Sequence, residues 1–210
     1  MDLRAYVREK GRPYSELLGI DLSAGDPSYF RWFLASILYS KPIREETATR
    51  TYKLFEAEGL MSPQAIIKAG WDKLVEILDI GGYTRYDFST AERLLEICGN
   101  LVGQYCGSLG RVHEEARDAA DLEARLMALG KGIGLLTVSV FLRDMSRVWA
   151  RADPQPTPKV RTAMEALGIK DLKRKARRMG VDRVELDTAL HRYYNENLRQ
   201  KLRRPVTEST

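Results

Sequence analysis

The chain has 210 residues, 44% of them hydrophobic and 30% charged, with a formal net charge of +5 and a pI of about 9.2. This excludes a disordered or collagen-like chain and leaves room for one large or two small domains with a hydrophobic core. No apolar run reaches the roughly 20 residues a bilayer needs, and the opening MDLRAYVREKGRP has no apolar signal segment, so the expectation is an intracellular protein with no membrane partner.

In chain order the periodicity is helical nearly everywhere. PSYFRWFLASILYS places Phe30, Phe33, Leu34, Ile37 and Leu38 at helical spacing, with Asp26 as the expected N-cap and Pro27 in the first turn. REETATRTYKLFEAEG follows. MSPQAIIKAG has Ser62 as cap, Pro63 at the first helical position and Gly70 as the stop. WDKLVEILDIGG, FSTAERLLEICGNLVGQYCG, DLEARLMALG and LLTVSVFLRDMSRVW read the same way, and so do TPKVRTAMEALG, DLKRKARRMG and DRVELDTALHRYYNENLRQKL. No alternating Val/Ile/Thr run or Asn-Gly hairpin signals a strand, and no repeat of fixed period occurs. The predicted class is all-α, about ten short helices, with the terminal VTEST frayed.

Two cysteines, Cys98 and Cys106, and two histidines, His113 and His191, do not make up a disulfide framework or a four-ligand metal site. The cysteines read as reduced thiols. Trp32, Trp71 and Trp149 sit among apolar neighbours and are expected in the core. Charge is unevenly spread: Lys170 to Arg204 holds 12 Lys/Arg against 5 Asp/Glu, and the remainder sums to −2. A basic terminal segment on a near-neutral body fits a polyanion partner, because each neutralised phosphate releases counterions; it fits a solvated helix face equally well. In the last predicted helix, Leu186, Leu190, Tyr194 and Leu198 would dock on the body with the basic face outward.

The stretch LMALGKGIGLLTVSVFL concentrates Gly130, Gly132 and Gly134 around Lys131 and Ile133 at the entrance to an apolar helix. Physically it reads as helix, tight glycine hairpin, helix. Such a hairpin can present the orphan amides of the second helix to an anion, although glycine turns also serve as plain connectors.

The order and spacing of four segments resemble the helix-hairpin-helix DNA glycosylase superfamily, which includes endonuclease III and the adenine and alkylpurine glycosylases. The resemblance runs from about Phe30 to Ile169 and covers roughly two-thirds of the chain. ILYSKPIREETATRTYKLF is similar to the family's early helix-loop-helix, with Lys41 where a glutamine often stands. LDIGGYTRYDFSTAERLLEIC matches the family's IGLYNSKA segment through Ile80, Gly81 and Tyr83. The hairpin matches LPGVGRKTA through Gly132, Ile133 and Gly134, and PTPKVRTAMEALGI matches the helix after the catalytic position.

The resemblance implies an all-α, two-lobed fold with double-stranded DNA held between the lobes and a target nucleotide flipped into a pocket. The core would span 1–169, and 170–210 would form basic C-terminal helices packing on it. The hairpin, Gly130 to Gly134, would bind a backbone phosphate, in some members with a monovalent cation. Lys41, Arg44 and the loop carrying Gly82, Tyr83 and Arg85 would lie where the family fills the gap left by the flipped base. Tyr83 has a plain core alternative. Tyr39, beside the Lys41 turn, is the candidate to line the pocket. A monomer in the cytoplasm, at the nucleoid, or in the nucleus is implied.

Three departures concern chemistry. The lysine that strand-cleaving members use is Leu136 here, which forms no Schiff base. The aspartate at the start of the following helix is Thr157, kept as a cap ahead of Pro158 but uncharged; Asp153, four residues earlier, is the alternative carboxylate, or simply caps the turn at Pro154. No cysteine follows Cys106, so no iron–sulfur ligand set is present, and the basic segment from Lys170 would supply DNA contact in its place. The resemblance therefore leads to a DNA N-glycosylase of base excision repair without lyase activity. Its alternatives are a catalytically silent protein that binds distorted or abasic DNA, and a helical adaptor with no DNA partner.

Overall fold

A computed structural model describes residues 2–199, and among these there is no strand. The helices are α1 (Leu3–Lys10), α2 (Tyr14–Leu17), α3 (Asp26–Tyr39), α4 (Glu45–Ala57), α5 (Pro63–Gly81), α6 (Asp87–Tyr105) and α7 (Leu109–Glu115). They continue as α8 (Ala119–Ala128), α9 (Leu135–Met145), α10 (Pro158–Ala166), α11 (Leu172–Met179) and α12 (Arg183–Tyr193), which runs on into one π-helical turn, Tyr194–Leu198. The all-α class is what the periodicity predicts. The expected fraying of VTEST lies outside the described residues. No helix among those described is long and apolar enough to cross a membrane.

The chain divides into two compact units, one formed by Met1–Leu17 with Gln155–Thr210 and the other by Leu18–Pro154. In the larger unit, α3 is the central element and packs on α4, α7 and α9. Trp32, Phe33, Ala35 and Leu38 on it are fully buried, and the Trp32 indole donates to the Phe141 carbonyl at 3.0 Å. Asp26 is not the N-cap. Gly25 holds that position, and the Asp26 carboxylate instead accepts from the Gly110 amide at 2.8 Å, tying α3 to the start of α7.

Local signals set the remaining boundaries. Ser62 caps α5 through the Ala65 amide with Pro63 at the first position, and the expected stop at Gly70 appears as a kink inside α5. Burial pushes the Cys98 thiol up to about 12, so it is an inert core group, whereas Cys106 is exposed. Trp149 is buried against Phe141, Tyr29 and His113, with the His113 ring stacked on the indole at 4.8 Å. Trp71 corrects the core expectation: it is 37% exposed and lies beside the more exposed Phe88, with centroids 5.3 Å apart.

In the smaller unit α12 is the hub, touching α1, α10 and α11. Leu186 and Leu190 join Val7, Val160, Met164 and Ile169 in its core, with Tyr194 and Leu198 partly buried against them. This is the docking expected of the last helix, but one of its cations is used internally: Arg192 donates to the carbonyls of Lys10 and Arg12 and lies over the Tyr14 ring. Helix α11 buries Leu172 and Ala176 and leaves Lys173, Arg174, Arg177 and Arg178 exposed, so the positive charge faces water.

Candidate functional site

The glycine turn lies between α8 and α9 in the larger unit, and two of its glycines have a clear steric reason. Gly130 sits so close to α6 that a Cβ would come within 2.8 Å of Ile97 Cγ1. Gly132 has φ +91, a conformation costly for side-chain-bearing residues, and the Arg93 side chain lies directly against it. The Ile133 amide donates to the Gly130 carbonyl at 3.3 Å, and Asn100 Nδ2 donates to the Leu129 carbonyl at 2.9 Å.

The turn is anchored from inside and open outside. Ile133 is 5% exposed and acts as its plug, while Lys131, Gly132, Gly134, Leu135 and Leu136 are exposed. Gly134 occupies the N-cap of α9 and supplies no side-chain acceptor to the first-turn amides. Orphan amides on an exposed helix start accept an anion from outside, aided by the positive end of the helix dipole.

Tertiary packing brings the Lys41 turn to the same corner. Thr137 on α9 and Ser40 are joined hydroxyl to hydroxyl at 2.8 Å. Burial, together with the positive charge of Arg93, pulls the Lys41 ammonium below its ordinary value. Arg93 thus touches Gly132 and acts electrostatically on Lys41. Among the described residues none of Lys41, Arg93 and Lys131 takes part in an ion pair, and the Glu96 carboxyl lies beside Gly130.

The carbonyls of Leu129 and Gly130 each already accept a hydrogen bond, and a guanidinium stands against the turn. The positive charge of Arg93 against the turn disfavours a monovalent cation there.

The other expected site residues fall in different settings. Arg44 is exposed at the N-cap of α4 and Arg85 is exposed in the loop after α5. Gly82 closes α5 with φ +99 and lies under Arg50, whose guanidinium donates to the Gly81 carbonyl at 2.7 and 3.1 Å. Tyr83 takes its core alternative: it is fully buried, and its hydroxyl donates to the Leu38 carbonyl at 2.6 Å, so it cannot reach into a partner. Tyr39 is half-buried with its hydroxyl 2.6 Å from Thr49 Oγ1 on α4.

Thr157 and Asp153 belong to different units. Thr157 is 7% exposed and caps α10 through the Val160 amide, as its sequence context predicts. Asp153 is half-buried and close enough to Glu123 of α8 that, with burial as the larger cause, it raises the Glu123 carboxyl above the usual glutamate range. A carboxyl raised by burial beside a second carboxylate is an arrangement acid–base chemistry uses.

Arg93 and Glu123 were not singled out in the sequence. Each is one charged residue on an amphipathic helix, and only long-range packing distinguishes it from its neighbours. Comparison with protein-family models, with curated proteins and with solved structures finds no match to this chain.

Proposed function

We propose that the protein binds double-stranded DNA through the Gly130–Gly134 turn and acts in base excision as a DNA N-glycosylase with a two-lobed helix-hairpin-helix fold. The observation that carries this reading is the exposed glycine turn, whose uncapped α9 amides stand beside the cations Lys41, Arg93 and Lys131. A phosphate there gains main-chain hydrogen bonds and charge neutralisation together. Arg44 and Arg85 add exposed charge in the same unit, and the exposed cations of α11 provide a second basic surface.

Hydrolysis of the N-glycosidic bond needs negative charge near the developing sugar cation and a proton for the departing base. In this reading Asp153 supplies the charge, and Glu123, whose carboxyl burial and then Asp153 raise above the usual glutamate range, donates the proton. Thr157 keeps a capping role. Leu136 leaves the strand-cleaving position without an amine.

Duplexes carrying uracil, hypoxanthine, 8-oxoguanine or an alkylated base, incubated with the protein and then treated with alkali, test this. Strand breaks at one of these bases, abolished by Asp153→Asn, are expected. The uncharged Leu136 and Thr157 favour a second reading, a silent binder of distorted DNA. Tight binding to an abasic duplex with no base release from any substrate would select it.

A further inference from the structure

Three cations gather at the glycine turn with little to balance them. The Arg93 side chain lies against Gly132, and Lys131 is exposed within the turn itself. Lys41 follows Ser40, whose hydroxyl is joined at 2.8 Å to that of Thr137 in the first turn of α9. Burial and then the charge of Arg93 disfavour the ammonium form of Lys41, so the two cations act on each other. Like charges held together without a counterion cost free energy. One carboxylate, Glu96 beside Gly130, answers part of the charge. Three formal positive charges and one negative leave +2 at this corner, and none of the three cations forms an ion pair among the described residues. The α9 amides, which Gly134 leaves without a side-chain cap, add the positive end of the helix dipole.

A phosphodiester inside a continuous strand carries a single negative charge and leaves part of this excess unanswered. A phosphate monoester carries about −1.5 to −2 at pH 7 and has three strong acceptor oxygens. Both its charge and its acceptors suit a corner that offers a guanidinium, two ammonium groups and free main-chain amides. We infer that the corner formed by Lys41, Arg93, Lys131 and the start of α9 selects a phosphate monoester, the group that hydrolysis of a phosphodiester leaves at a strand terminus, over a phosphodiester within a strand. This rests on the duplex-binding reading above and names the substrate class of that site, a duplex with a break that ends in phosphate. A free mononucleotide offers the same chemistry without a duplex, and the test separates the two sources.

The affinity of the full chain is measured at one salt concentration for four forms of one duplex: continuous, nicked with a 5′-phosphate, nicked with a 3′-phosphate, and nicked with hydroxyls on both sides. One of the phosphate nicks is expected to bind about tenfold more tightly than the hydroxyl nick and the continuous duplex. In Lys41→Met/Arg93→Met that ratio falls to near one. Lys131→Ser, at an exposed position, lowers the ratio in part with an unchanged thermal midpoint, and serves if the double variant does not fold. Arg177→Ser/Arg178→Ser on α11 weakens all four complexes and keeps the ratio. Equal binding of phosphate and hydroxyl nicks, or a ratio that survives the changes at Lys41, Arg93 and Lys131, overturns the inference and leaves duplex binding intact. Loss of the ratio in the α11 variant assigns the gain to overall charge and overturns it too. If no duplex binds at low salt but thymidine 5′-monophosphate does, and Lys41→Met/Arg93→Met loses it, the monoester site stands and the duplex reading falls. If neither binds, both fall.

Discussion

Arg93 lies against Gly132, its Cδ only 2.6 Å from the place a Cβ would occupy. A single glycine thus permits two things at once, the left-handed backbone at φ +91 and the approach of a guanidinium to the turn. Gly132→Ala should cost about 1–2 kcal/mol in chemical denaturation, chiefly from backbone strain. Adding Arg93→Ala should recover the steric part but not the strain. The cycle should therefore show a coupling of roughly 0.5–1 kcal/mol. Strict additivity of the two changes would mean that Arg93 does not pack on the turn.

Lys41 gives a prediction with a definite sign. Its folded-state value lies below the ordinary 10.5, because burial and then Arg93 disfavour the charged amine. The unfolded chain therefore holds the proton more tightly, and stability rises with pH between the lowered value and 10.5. At neutral pH the full handicap is present. Lys41→Met should raise the thermal midpoint at pH 7, with the gain shrinking as the pH approaches 10.5. If the proposed duplex binding holds, the same variant should weaken it and flatten its salt dependence, since one cation beside the glycine turn is gone. A gain in midpoint that does not vary with pH would point to packing alone.

The contrast between what was readable in the sequence and what was not follows range of interaction. Ser62, Pro63 and Thr157 are set by their own neighbours, so spacing predicts the starts of α5 and α10. The glycine turn was likewise visible as a turn. Its surroundings were not: Arg93 meets Gly132 across 39 residues of chain, and Ser40 meets Thr137 across 97. Asp26 shows local preference losing to a distant partner, since its carboxylate turns to Gly110 and leaves the cap to Gly25. Trp71 was expected inside because its sequence neighbours are apolar, yet α5 turns it to the surface beside Phe88. Periodicity identifies an apolar face, but not whether another helix covers all of it.

Helix α9 carries a buried ion pair near its other end. Arg143 Nε donates to Asp144 Oδ1 at 2.8 Å, with the two residues 6% and 0% exposed. Neighbouring helical residues normally diverge, so the pair exists because the guanidinium folds back within the core. Removing one partner takes a charge-assisted hydrogen bond from the other in a poorly solvated place. Asp144→Ala should destabilise the larger unit by about 3–5 kcal/mol in urea denaturation. Replacing both residues with methionine should cost much less, because no charge is left buried. Equal losses in the single and double variants would show that packing volume, not the buried charge, sets the cost.

Cys106 ends α6 in a left-handed conformation, φ 55 and ψ 27, where glycine is the usual occupant. Among the described residues it is the one non-glycine with positive φ, and Gly107 follows it with φ +81. A side chain in this region costs about 1–2 kcal/mol, and glycine gives part of that back through its greater freedom in the unfolded chain. The thiol's contact with Arg111, 3.3 Å from Nη1 to Sγ, is exposed and adds little. Cys106→Gly should therefore stabilise the protein by about 0.5–1 kcal/mol, a small rise in thermal midpoint. Cys106→Ala keeps a Cβ and should leave stability near the wild-type value. If alanine stabilises as much as glycine, the thiol rather than the backbone is responsible, because only glycine relieves the left-handed strain.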